Sequence, residues 1–448
     1  MVAHAQAEPG RRNEIIKSIL RLTRLAHSMI QDSYQGYLSH GGDHFDPLKF
    51  GLARAHELST TLQWLHENVT EEDQPVIWET MDLLWTGAKI GLRYMAQKYR
   101  MNHDEQLARQ TREAVDMAFQ YHGTPSGSIT SDEFLGGLID VFSLSWLHRL
   151  FGDNDYADRT ELAAFNARPG GISPDWWTHQ YVTQSNQPWI KRLNGRPFCD
   201  VSPYGNILGL EPDYPCCLVN HHQGLPKLIC SAFVQKGSNW LIHRFLIPAE
   251  ISTELDGSHV SIMADTHYPF GPLLPVQSFS RVFTTNRQPW SEIRIVNRPS
   301  SSAVSIYWGS LLYALDIEYT ETSTPSTHWK KNVDPLPEDP RYPQLRDRTL
   351  VPAEGAEWRV AIDPSQIAIY WSSQDTDPAS APPMVLLIAA IRIAWPVRNG
   401  AAHGVPKEII TESEPFVAGF VLFASAPLHM AELPTISLDK LNLSGHSP

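Results

Sequence analysis

Cysteine is scarce in this chain, with four in 448 residues, at Cys199, Cys216, Cys217 and Cys230, and none before Cys199. So sparse a set argues against a disulfide framework. A basic excess is missing as well. Lysine and arginine total 36 against 49 aspartates and glutamates, a formal charge of -13, so neither nucleic acid nor an anionic membrane is the expected partner, because phosphate binding needs a basic face. Long apolar runs are also absent. The longest, Met384 to Ala394 before Trp395, carries Arg392 and is too short to span a bilayer, so it reads as a buried strand and no membrane span is expected. The opening segment MVAHAQAEPGRR has no greasy centre and sets Glu8 and Pro9 where a signal peptide would be apolar, which predicts a cytoplasmic protein.

What is present is length, aromatic content and a change of grammar along the chain. At 448 residues the chain exceeds one compact core and predicts two domains. Tryptophan, tyrosine and phenylalanine are plentiful, which suits an aromatic pocket and equally suits ordinary cores. From Asn13 to about Leu150 apolar residues recur at steps of three and four: Leu58, Leu62 and Leu65, then Ile77, Met81, Leu84, Ala88, Leu92 and Met95. That spacing predicts helices with one buried face, the set from Ile77 to Met95 lying on a single long one. Asp104 or Asn102 is placed to cap the next helix, with Leu107, Ala114, Met117 and Ala118 toward its core, and Leu138, Phe142, Trp146 and Leu150 mark another. After about Gly237 the pattern turns to strands, as where Val304, Ile306 and Trp308 alternate with Ser305 and Tyr307, the period-two signature of a sheet with one buried face. The segment Thr320 to Arg348 reads as a long surface loop. The predicted class is α+β multidomain, with a helical domain over 12–236, an antiparallel β-sandwich over 237–436 and a tail over 437–448.

Chemistry-bearing residues crowd into GLEPDYPCCLVNHHQGLPK, from Gly209 to Lys227, where Cys216 and Cys217 precede Asn220, His221, His222 and Gln223. Two further stretches belong with it, LAAFNARPGGISPDWW from Leu162 and HQY at His179–Tyr181. Buried cysteine also serves as a small hydrophobe, so packing is the alternative for the pair. On a strand His179 and Tyr181 would share a face.

Together these stretches resemble the catalytic region of the β-L-arabinofuranosidase-type glycoside hydrolases, over most of the chain from about Phe50. The resemblance implies an (α/α)6 helical barrel, here with too few residues before the cysteine pair for twelve full helices and so shortened or partly open. It also implies a zinc ion held by a Glu-x-Cys motif and the vicinal cysteine pair, one thiolate being the nucleophile. Cys216 and Cys217 match the pair. The Glu-x-Cys motif is missing, since Pro197 stands two residues ahead of Cys199. With half the ligand set gone, no metal and no other cofactor is expected, and thiols without a nearby cation stay near pKa ~8.5 and are poor nucleophiles at neutral pH. By the same resemblance Glu133 matches a general acid/base, and Tyr181, with His179 and Gln180 beside it, a substrate-binding tyrosine. Glu133 could equally be a carboxylate complementing a helix N-terminus. Arg54, in FGLARAHEL, stands at a polar barrel position or on a helix surface. Where the family carries a sugar-binding histidine this chain has Leu84-Trp85-Thr86.

Loss of the zinc motif and of that histidine points away from sugar chemistry and toward an apolar pocket. In this the chain resembles fungal intermolecular hetero-Diels–Alderases of tropolonic sesquiterpene pathways. That likeness implies small apolar and aromatic substrates, a tropolone o-quinone methide and a humulene-type alkene, held in near-attack geometry. His179, Tyr181, His221, Arg54 and Lys227 are the expected hydrogen-bond donors and Glu133 an aid to dehydration. Trp85, Trp176 and Trp177 are the expected walls, with Gln180, Asn186, Cys216, Cys217 and His222 nearby. The alternatives are a glycoside hydrolase using Cys216 or Cys217 with Glu133, and a non-catalytic carbohydrate-binding relative. A homodimer is left open.

Overall fold

The computed structural model describes residues 5–6, 8–32, 56–87, 93–131, 134–135, 137–195, 201–210, 220–245, 247–264, 292–298, 301–327, 335, 337–371 and 384–443. The chain divides into two compact units, residues 1–118 and 119–448. Among the described residues no helix is long and apolar enough to cross a membrane.

The first unit is helical. Helices α1 (Arg12–Gln31), α2 (His56–His66), α3 (Gln74–Gly87) and α4 (Tyr94–Asn102) lead into α5 (Glu105–His122). Leu62, Leu65, Ile77, Met81 and Leu84 are buried as their spacing predicts, with Ile19 of α1 in one cluster, but the helix expected from Ile77 to Met95 is described as two, α3 and α4, with Ala88 and Leu92 outside the described residues. Each of those buried side chains contributes about 1.5–3 kcal/mol on burial. Asp104 caps α5 by accepting the Gln106 amide at 2.9 Å, satisfying one of the free N–H groups of the first turn. The buried stripe of α5 is Ala108, Thr111 and Val115, whereas Met117 is exposed, so the core face sits rotated from the one predicted.

The second unit opens with α6 (Gly137–Phe151) and α7 (Asn154–Leu162), which pack together. Among the α6 side chains described, Val141, Ser143, Leu144, Ser145 and Leu147 are buried and Phe142, Trp146 and Leu150 half-buried, so the buried face sits one position round from the expected stripe, whose Leu138 lies outside the described side chains. A π-turn over Ala163–Ala167 follows α7. There Asn166 donates to Leu162 O at 2.7 Å and Ser310 O at 2.8 Å and accepts from Leu312 N at 2.7 Å, which fastens this turn to a strand.

That strand belongs to an antiparallel sheet of nine among the described residues: β1 (Asn186–Gln187), β2 (Ile293–Asn297), β3 (Ala303–Trp308), β4 (Leu311–Asp316), β5 (Val360–Trp371), β6 (Met384–Arg392), β7 (Phe416–Leu422), β8 (His429–Met430) and β9 (Leu433–Pro434). The order is β5-β6-β7-β4-β8-β1, with β3 pairing β4, β2 and β9. The apolar run at β6 is the buried strand expected of it, packed with Phe420, Tyr313 and Ile306. At β3 both faces are buried. Val304, Ile306 and Trp308 join the main core, while Tyr307 packs on Leu312, Phe423 and Leu162 and its hydroxyl donates to Pro125 O at 2.8 Å. The period-two pattern is intact, but a satisfied phenol let its second face be covered. The predicted loop from Thr320 to Arg348 is strand at its two ends, where Tyr319–Pro325 pairs with Arg346–Pro352, since alternating threonines suit an exposed strand; the described residues between them belong to no strand. The described part of the stretch from Gly209 ends in the short helix α8 (Gly224–Ile229), followed by two exposed hairpins over Phe233–His243 and Ala249–Ala264.

Candidate functional site

The site is assembled from the turn between the π-turn and β1 together with the start of the Asn220 segment. Ser173 closes a small loop: its amide donates to Thr178 O at 2.8 Å and its hydroxyl to Asp175 Oδ1 at 2.6 Å, while Asp175 Oδ1 also accepts from Trp177 N. Arg348 pairs with Asp175 from the neighbouring hairpin. These bonds hold the Asp175 carboxyl below its ordinary range against the opposing effect of burial. They also hold Trp176 at φ 64°, a left-handed conformation that costs a non-glycine residue ~1–3 kcal/mol. Its ring is 57% exposed and lies against the Arg168 guanidinium, 5.1 Å from carbon to ring centre. Trp177 is 39% exposed with Tyr342 6.1 Å away.

Past this loop the chain is clamped. His179 exchanges main-chain hydrogen bonds with Gly209 in both directions, and a Cβ at Gly209 would meet Asp347 Oδ1 at 2.7 Å, so any larger residue there has to displace that carboxylate. The His179 side chain is buried, its Nδ1 2.6 Å from Gln180 O. A carbonyl only accepts, so Nδ1 carries the proton and Nε2 keeps its lone pair. Nε2 is buried with no hydrogen-bond partner. His221 stacks on this ring at 5.4 Å between centroids, and its Nε2 donates to Arg168 O at 2.9 Å. Burial, then the neighbouring His179 and Arg168, push the His221 pKa down to about 4, and burial lowers His179 too. Both rings are therefore neutral at pH 7. Arg168, buried in the same cluster, has an unpartnered Nε, as does the hydroxyl of Thr178.

Other expected site residues are placed elsewhere. Gln180 donates to Asn206 O at 2.8 Å and trades amide bonds with Gln187, and Asn186 joins Ala431 and Glu432 to β1. Tyr181 packs on the cluster of Val182, Leu193, Val201 and Ala401. Lys227 lies over the Phe142 ring at 4.5 Å, and His222 is exposed. Trp85 belongs to the first unit, where it is buried, donates to Gln97 Oε1 at 3.2 Å and sits edge-on to Trp78. Arg54, Glu133, Cys216 and Cys217 lie outside the described residues. Arg168 and Thr178 went unnoticed in the sequence, although both lie inside or beside the quoted motifs.

Among solved structures, the chain is similar to a GH127 β-L-arabinofuranosidase from Geobacillus stearothermophilus T6, at TM-score 0.54 and 13% identity over 85% of this chain and 72% of that one. The fold is GH127-like. Two others are a GH127 β-arabinofuranosidase (TM-score 0.44, 11% identity, 88% and 79% covered) and a glycoside hydrolase (TM-score 0.47, 10% identity, 87% and 84% covered). No protein-family model matches the sequence. No curated protein matches it either. At such identity the likeness concerns fold alone.

The zinc of the resembled hydrolases fits poorly here. Its Glu-x-Cys half is absent from the sequence, and among the described residues no three of His, Cys, Asp and Glu group as ligands.

Proposed function

We propose that this chain is an enzyme that uses a GH127-like fold for a hydrogen-bond-assisted cycloaddition, joining a tropolone-derived o-quinone methide to a humulene-type alkene. The observation that carries this is the neutral His179, stacked on His221 with a buried, unpartnered Nε2, in a turn that also holds the exposed Trp176 and Trp177. A buried lone pair left open marks a ligand-facing position.

The tautomer recasts the chemistry. His179 and His221 were expected as donors, yet each spends its N–H on a carbonyl and offers a lone pair. His179 Nε2 is suited to take the proton of a ring hydroxyl as a hydroxymethyl tropolone loses water. Glu133, outside the described residues, is the proposed donor to the departing hydroxide, which leaves as water; the ring proton held by His179 then returns to the Glu133 carboxylate through solvent and resets both groups. The cycloaddition itself then forms one C–C and one C–O bond with no proton transfer. Holding the two partners in register against the tryptophans supplies most of the acceleration, of a kind that offsets roughly 7–11 kcal/mol of barrier.

A glycoside hydrolase is the second reading, favoured by the fold likeness. It requires Cys216 or Cys217 as nucleophile and a cation to hold the thiolate. One experiment separates the two: incubate the protein with a hydroxymethyl tropolone precursor and a humulene-type alkene, and in parallel with a chromogenic β-L-arabinofuranoside. Cycloadduct from wild type and from Cys216→Ser and Cys217→Ser is the expected result. Arabinoside cleavage abolished by either serine variant, with no adduct, would overturn it.

A further inference from the structure

Three polar atoms that lack a partner fall within one short stretch, Arg168 Nε, Thr178 Oγ1 and His179 Nε2, and all three residues are more than nine-tenths buried. The guanidinium matters most. It cannot shed its proton, and an uncompensated buried cation is among the costliest groups a fold can hold. Among the described residues Arg168 makes no ion pair, whereas the nearby Asp175 is already held by Arg348. What surrounds Arg168 is a tryptophan face at 5.1 Å and the His221 ring bonded to its carbonyl, with His179 stacked beyond. Both imidazoles are neutral and neither neutralises it. The turn thus carries one fixed positive donor, one neutral acceptor and one hydroxyl, with the exposed Trp176 ring against the guanidinium.

We infer that Arg168 is the anchor for an ionised oxygen on a planar ring, so that the substrate class is a tropolonate-type enolate. This deepens the proposed reaction and rests on it. The anionic oxygen, left once the ring hydroxyl has given up its proton, supplies the charge that the buried guanidinium lacks, the neighbouring ring oxygen accepts from the Thr178 hydroxyl, and the flat ring stacks against Trp176. A neutral furanoside offers no such charge.

Tropolone is the probe. Calorimetric titration is expected to give binding that strengthens as pH rises through tropolone's ionisation, and at least tenfold weaker binding of its O-methyl ether, which cannot ionise. Arg168→Gln should lose tenfold or more toward tropolone while Arg168→Lys keeps part of it, with near-UV circular dichroism as the check on folding. Equal affinity of wild type for tropolone and the ether overturns the inference without any variant, as does an Arg168→Gln protein that is folded and binds normally. The reaction fails separately: tropolone held through Arg168 with no cycloadduct keeps the anchor and removes the cycloaddition. Adduct formed at the wild-type rate by Arg168→Gln removes the anchor and keeps the cycloaddition.

Discussion

The imidazoles of His179 and His221 lie face to face, 5.4 Å between centroids and 17° from parallel, and each gives its one N–H to a main-chain carbonyl. Two charges could not share that geometry, so burial and mutual repulsion keep both rings neutral.

Stability should therefore fall as acid is added. A histidine whose folded pKa is lowered, here from 6.5 to about 4, binds its proton more readily when unfolded. His221 costs nothing above about pH 6.5, and the folded state loses stability progressively between there and pH 4, at up to ~1.4 kcal/mol per pH unit; His179, lowered by burial, acts in the same direction. His243 and His429 are lowered by burial as well, so the comparison must be with a variant. Urea unfolding of His221→Phe from pH 7.5 to 4.5 should show a slope shallower by about one proton. Identical slopes would mean that His221 is already charged or solvated.

Trp176 should show a conflict between stability and binding. At φ 64° only glycine is relaxed, and the ring is mostly exposed, so Trp176→Gly should be more stable than Trp176→Ala by about 1 kcal/mol. Both should bind tropolone more weakly than wild type. Thermal melts of the two variants test the ranking, and an alanine variant as stable as the glycine one would show that the backbone relaxes.

Gln180 should prove to be framework. Gln180→Leu strands the Gln187 amide and the Asn206 carbonyl and should cost about 2–4 kcal/mol by chemical denaturation. The double variant Gln180→Leu with Gln187→Leu should recover part of that loss, because two apolar side chains leave fewer stranded groups. A single variant of wild-type stability would speak against a closed network.

Metal analysis of the purified protein should return no stoichiometric zinc, and chelators should leave the melting curve unmoved, since the donor set is incomplete. One zinc per chain, lost together with Cys216→Ser, would restore the hydrolase.

The sequence by itself determined the succession of helices and then strands, because apolar spacing depends on residues a few positions apart. It likewise determined the buried run at β6, the missing Glu-x-Cys ligands and the naming of His179, His221 and Trp176 as site candidates. Tertiary structure alone decided what those residues offer. The tautomers depend on the carbonyls of Gln180 and Arg168, the stacking brings together two histidines far apart in the chain, and among the described residues the Arg168 guanidinium meets a tryptophan face rather than a carboxylate. Gln180 and Asn186 look like site residues in one dimension and become framework only when Gln187, Asn206 and Glu432 close around them. Hydrogen-bond state and charge compensation are properties of surroundings, and surroundings exist only once the chain has folded.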